Sequence, residues 1–255
     1  MKQFFKKWGL GARLKKMSEW AADALFPPDI KCIVCESELK MDTRYGVCPQ
    51  CEIVRNSKFC TVCGNGIRDM APVCDHCKTI THEYQMARGA VIYGENARTL
   101  VRKYKFGAAK YLADYLTEYV ADCYFENQFE IDCLTYVPIH HTKHKQRGYN
   151  QAQILASNLS SKIDKTVLGT LAKTAQPKDT ARLGGKQRAE AVRGVFSLVE
   201  SSREQIKNKR ILLVDDVYTT GATADECSRV LKLGGVKSVS VLTFATSMAQ
   251  KPLLS

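Results

Sequence analysis

No run of apolar residues in this 255-residue chain approaches the length of a membrane span, so no segment reads as a transmembrane helix. The opening, Met1-Lys-Gln-Phe-Phe-Lys-Lys-Trp8, lacks a continuous apolar core and a small-residue cleavage site, so it does not read as a secretory signal. Without a signal, a secreted disulfide framework is a poor account of the cysteines, and the expected location is cytoplasmic. Negative charge is also scarce. Twenty-six Asp and Glu stand against 38 Lys and Arg, a formal net charge of +12. The excess is uneven: residues 141–210 hold fifteen basic side chains and five acidic ones. Such a surface suits a phosphate-bearing ligand, from a small polyphosphate to a nucleic-acid backbone, and composition does not choose between them.

Cysteine, by contrast, is plentiful. Eight of the eleven fall into four Cys-x-x-Cys pairs between residues 32 and 77. Cys32/Cys35 and Cys48/Cys51 are separated by twelve residues, Cys60/Cys63 and Cys74/Cys77 by ten. This is the spacing of metal knuckles, and four thiolates suit a tetrahedral zinc ion. Consecutive pairing gives two zinc ribbons; interleaved pairing costs more loop closure. Redox pairs and an iron–sulfur cluster are the alternatives, but a segment this small needs a metal to fold. Each filled site carries −2, so two of them lower the formal charge from +12 to +8. Gly64 directly follows Cys63, where a knuckle turn tends to need positive φ. His76 and His82 lie in and just beyond the last knuckle and read as bystanders. Cys123, Cys133 and Cys227 read as small apolar residues.

Residues 211–223, Ile-Leu-Leu-Val-Asp-Asp-Val-Tyr-Thr-Thr-Gly-Ala-Thr, carry the most chemistry. Ile211–Val214 suits a strand buried on both faces. Asp215 and Asp216 then fall at its carboxyl end, where open α/β sheets bind ligands. Thr219, Thr220, Gly221, Ala222 and Thr223 supply backbone N–H groups, hydroxyls and the positive end of a following helix, which suit a phosphate. A simple strand–turn–helix corner needs one capping side chain, not this array. The segment resembles the PRPP signature of type I phosphoribosyltransferases. That resemblance implies that Asp215 and Asp216 hold the ribose 2′- and 3′-hydroxyls, that residues 219–223 wrap the 5′-phosphate, and that Mg²⁺ accompanies PRPP.

Residues 1–29 read as a basic amphipathic helix ended by Pro27-Pro28, residues 30–80 as a double zinc ribbon, and residues 85–250 as an α/β domain. The first helix suits a membrane surface, a partner or its own protein. In the α/β domain, strands are expected at 90–93, 131–137, 195–199, 211–214 and within 236–244. Helices are expected at 95–104, 110–123, 151–162 and 222–233. That order predicts an open, mainly parallel sheet with helices on both faces. Gly234-Gly235 is a fitting helix stop and Asn150 a candidate cap.

Three basic segments accompany the motif. Residues 141–147, with Lys143, Lys145 and Arg147, read as a loop able to hold a polyphosphate. Residues 98–107, with Lys105, read as a basic helix end. Residues 181–193 read as a mobile connection able to close over a charged ligand. Leu25–Pro28, the four knuckles, Lys103–Gly107, Val137–Gln151 and Asp215–Thr223 together resemble the ComF family of competence-associated, phosphoribosyltransferase-like proteins. Thr180 and Ala191 depart from its usual Gln and Asn. The resemblance implies a role in natural transformation, with single-stranded DNA and a competence helicase as partners. Three readings follow. The first is a DNA-uptake protein that binds a phosphoribosyl or nucleic-acid phosphate. The second is an active Mg²⁺-PRPP-dependent phosphoribosyltransferase. The third is a zinc-ribbon adaptor with a vestigial pocket.

Overall fold

A computed structural model describes residues 31–39, 43–68, 71–107, 109–175 and 185–249. The expected helix over 1–29 lies outside them. The chain divides into two compact units, residues 1–52 and 53–255. The boundary falls between the two groups of knuckles. Cys60, Cys63 and Cys74 share a core with Tyr84, Ala87 and Tyr218, which is why the second group belongs to the larger unit. In the smaller unit, Cys32, Cys48 and Cys51 are buried and packed by Val34, Leu39 and Val47.

The larger unit is built on strands β1 (Met86–Ile92), β2 (Cys133–Tyr136), β5 (Arg210–Tyr218) and β6 (Ser238–Thr246). They form one sheet in the order β1-β6-β5-β2, and every pair is parallel. Strand β6 is central and buried at every position after Ser238. Helices α2 (Glu95–Phe106), α3 (Leu112–Glu126), α5 (Gln151–Ile163) and α8 (Ala222–Leu233) are the long ones. Side chains of a strand alternate between faces. Ile211 and Leu213 share a core with Cys227 and Leu231 of α8. Leu212 and Val214 are fully buried on the other face, which α3 and α5 cover. The expected open parallel sheet with helices on both faces is present.

Several elements differ from expectation. Residues 196–198 do not join the main sheet. They form β4 (Phe196–Leu198), paired antiparallel with β3 (Leu171–Lys173), a strand too short to show a period. The basic segment after β2 is a helix rather than a loop, α4 (His141–Arg147). The His140 ring accepts the Thr142 N–H at its start, and Gly148 closes it at φ +78°. Within 181–193, residues Gly185–Val192 form helix α6. Short helices α1 (Asp75–Thr79) and α7 (Arg203–Ile206) are also present. Asn150 does cap α5, its Oδ1 accepting the Ala152 N–H at 3.1 Å.

Candidate functional site

Strand β5 does not stop at Val214. Asp215, Val217 and Tyr218 keep register with Thr243, Ala245 and Thr246 of β6, so both carboxylates sit inside the paired strand. Alternation then separates them. Asp215 lines a cleft together with Val217, Tyr218, Thr219, Thr220, Gly221, Ala222 and Thr223, and with Leu213, Val137, Val241 and Thr243 behind them. Asp216 is buried and its Oδ2 lies 2.8 Å from Lys105 Nζ. The backbone N–H of Asp216 donates to Asp215 Oδ1 at 2.8 Å, which holds the first carboxylate forward along the chain.

The turn ends in a helix start open to an anion. Gly221 is the N-cap of α8 with φ +83°, and it has no side chain of its own to cap the helix. A methyl group at Gly221 would collide with the Tyr218 ring and hydroxyl, so glycine is required twice over, by dihedral and by space. The first N–H groups of a helix have no intrahelical acceptor and carry the positive end of its dipole.

Basic side chains gather around both acids. The end of α2 is pinned where the Tyr104 hydroxyl donates to the Gln151 carbonyl at 2.9 Å and the Tyr149 hydroxyl donates to the Tyr104 carbonyl. This places Lys105 on Asp216. Burial opposes the charge on Lys105, but Asp216 and then Asp215 carry its pKa above the ordinary lysine value. Arg147 acts electrostatically on Lys105, and its guanidinium lies 4.9 Å from the centre of the exposed Phe106 ring. On the Asp215 side stands Lys173 of β3, lowered by burial and then by Lys143, and partly held up by Asp215. Burial, and then the neighbouring Asp216 carboxylate, push Asp215 up to about 7.

The structure therefore brings Asp215 together with 219–223, and Asp216 together with Lys105. Lys173 and Thr243 were missed by sequence reasoning. Lys173 ends a three-residue strand, and Thr243 reaches the site only through its register with Asp215; neither carries a local signal.

The cysteines form two clusters, Cys32/Cys35/Cys48/Cys51 and Cys60/Cys63/Cys74/Cys77, each with its sulfurs within 4.8 Å of one another. Pairing is consecutive. Tetrahedral zinc with bonds of about 2.3 Å sets sulfurs about 3.8 Å apart. Cys35 and Cys48 are 3.7 Å apart, Cys63 and Cys74 3.8 Å. In each cluster a backbone N–H points at a sulfur, Cys48 to Cys32 at 3.4 Å and Cys74 to Cys60 at 3.3 Å. Gly64 takes the expected positive φ, +69°, against the Ala87 carbonyl. Each cluster can hold a zinc ion.

The family model for the phosphoribosyl transferase domain matches residues 145–254. Competence protein F of Haemophilus influenzae is 30% identical over 222 residues, covering 84% of this chain and 95% of that protein. The chain belongs to the ComF family. Two further relatives match at lower identity. Competence protein ComFC of Bacillus subtilis is 26% identical over 239 residues, 89% of each chain. The DNA utilization protein YhgH of Escherichia coli is 25% identical over 222 residues, 82% of this chain and 94% of that one. The ComF chain thus combines a phosphoribosyltransferase-type domain with two four-cysteine clusters. Among the described residues no helix is long and apolar enough to cross a membrane.

Proposed function

We propose that this ComF protein binds a phosphoribosyl or nucleotide phosphate, PRPP with Mg²⁺ foremost, and supports DNA uptake on the cytoplasmic side of the membrane. One observation carries the reading: the glycine-headed start of α8 and the Asp215 carboxylate line the same cleft. Backbone N–H groups of residues 221–223 and the threonine hydroxyls would take the 5′-phosphate. Asp215 would take a ribose hydroxyl, and Lys105, Arg147, Lys143 and Lys173 would meet the remaining charge. Mg²⁺ would arrive with the pyrophosphate oxygens.

Two relatives are named for competence and one for DNA utilization, which supports a role with incoming single-stranded DNA. The basic stretch 141–210 would follow its backbone, with a helicase of the uptake machinery as a further partner.

Isothermal titration with Mg²⁺-PRPP tests the binding claim. The wild-type chain binds, and Asp215→Asn binds about tenfold more weakly, the loss of roughly one charged hydrogen bond. No heat from the wild-type chain would overturn it. Affinity for a single-stranded oligonucleotide should fall steeply with salt; a salt-independent or absent affinity removes the DNA half of the reading. Pyrophosphate release from PRPP over a panel of nucleobases separates binding from catalysis. Release would make the protein an active phosphoribosyltransferase.

A further inference from the structure

His82 stands between the second cysteine cluster and the phosphate turn. Its side chain is 1% exposed. On one side its Nε2 lies 3.4 Å from Cys77 Sγ. On the other, Nδ1 faces Asp225 Oδ2 at 2.8 Å. A carboxylate oxygen only accepts, so Nδ1 carries the proton and donates. The second oxygen of Asp225 accepts the Glu83 backbone N–H at 2.8 Å. Asp225 sits in the first turn of α8, and its own N–H donates to the Gly221 carbonyl at 2.8 Å. Two residues, His82 and Asp225, therefore lead from a cluster sulfur to the glycine at the head of the phosphate turn.

A second track runs beside the first. The His82 ring stacks on Tyr84 with centroids 4.6 Å apart. The Tyr84 hydroxyl lies 2.6 Å from the Tyr218 hydroxyl. The Tyr218 ring in turn occupies the space where a Gly221 side chain would stand. Both tracks end on the same residue.

The arrangement also governs one specific competitor. An aspartate in the first turn of a helix is drawn to the helix's open N–H groups, the groups a bound phosphate needs. Here both Asp225 oxygens are taken, one by His82 and one by the Glu83 backbone, and the N-cap Gly221 has no side chain to cap α8. His82 holds the acid to the side and leaves the helix start open.

We propose that His82 is a positioning residue which couples the Cys60/Cys63/Cys74/Cys77 cluster to the phosphate turn, so that metal loading of this cluster sets residues 221–225 in their anion-binding geometry. The proposal rests on the reading of that turn as a phosphate site. A zinc ion in the cluster would fix the Cys77 sulfur. A metal-bound thiolate, like the Asp225 carboxylate, only accepts, so in the loaded cluster His82 would meet both partners with both ring N–H groups, as an imidazolium. His82 passes that position to Asp225, and Asp225 passes it to Gly221.

The test uses the full zinc-loaded chain with His82→Ala and His82→Asn. The asparagine amide stands near the place of Nδ1. It keeps a donor for Asp225 and drops the contact to Cys77. Zinc content by elemental mass spectrometry should remain two per chain in both variants, which shows that the fold is intact. Hydrogen exchange of peptides covering 219–226 is the first readout, and titration with Mg²⁺-PRPP the second. In His82→Ala the turn should exchange about tenfold faster and PRPP should bind about tenfold more weakly, the effect of one lost charged hydrogen bond. His82→Asn should restore most of both. On partial zinc removal, exchange in the turn should rise in the wild-type chain and stay level in His82→Asn. Unchanged exchange in His82→Ala, or faster exchange spread evenly over 53–255, overturns the coupling. If the wild-type chain binds no PRPP while exchange in the turn still follows His82, the ligand reading fails and the coupling stands. If PRPP binds and the turn ignores His82, the coupling alone fails.

Discussion

Lys105 Nζ and Asp216 Oδ2 lie 2.8 Å apart, and this pair occupies the second acid of the strand while the first lines the cleft. The side chains are 25% and 11% exposed. Water therefore screens them incompletely, and removing one partner leaves the other in a poorly solvated place. Lys105→Ala should lower the stability of the larger unit by about 1–3 kcal/mol in chemical denaturation. Adding Asp216→Asn should recover part of the loss. A single variant as stable as the wild type would show that the pair contributes nothing to the fold.

Asp215 makes the stability of the chain pH-dependent in a definite direction. Its folded pKa is raised to about 7 by burial and then by Asp216, whereas an unfolded aspartate titrates near ~3.9. Between these values the folded chain holds a proton that the unfolded chain has lost. Stability from this group is therefore complete below about pH 4, and it falls as pH rises toward 7. Asp215→Asn should flatten that slope and raise the melting temperature at pH 8. Parallel pH–stability curves for the two proteins would refute the raised pKa.

Gly221 is strained for any other residue. Gly221→Ala places a methyl group against the Tyr218 hydroxyl at a φ of +83°. The cost should be about 1–3 kcal/mol by thermal or chemical unfolding. Tyr218→Phe removes the colliding oxygen and should recover part of it in the double variant. The dihedral strain should persist, so recovery should be incomplete. A Gly221→Ala protein with wild-type stability would mean that the turn adopts another shape in solution.

Metal analysis should find two zinc ions per chain. Cys74→Ser should remove one of them and lower the melting temperature of the larger unit, because Cys74 is part of the core that contains Tyr84, Ala87 and Tyr218. Cys35→Ser should remove one ion from the smaller unit. Retention of two ions in either variant would contradict the four-cysteine assignment of that cluster.

Local pattern carried much of the architecture. Helix α8 begins and ends where its sequence predicts, at Ala222 and Leu233, because the glycines on either side relieve a helix that would otherwise run on. The knuckles were legible for a similar reason: the Cys-x-x-Cys spacing is itself the geometry of a turn around a metal. The strand ends were harder. Nothing in Asp215–Tyr218 resembles a buried strand in isolation, and only pairing with Thr243–Thr246 keeps it extended. The basic segment 141–147 lacks an apolar face, so periodicity could not reveal helix α4. Its caps, the His140 ring and Gly148, hold it instead.

By itself the sequence determined the chemistry available to this protein: eight thiol ligands in knuckle spacing, two adjacent acids, a threonine–glycine turn and an excess of basic charge. These properties are local, because a residue's type and its near neighbours define them. The tertiary structure decided which of these groups meet. It parted Asp215 from Asp216 through strand alternation, brought Lys105 in from α2, and set His82 between Cys77 and Asp225, 143 residues further along the chain. Contacts over such distances depend on how strands register and helices pack, and no window of sequence contains that information.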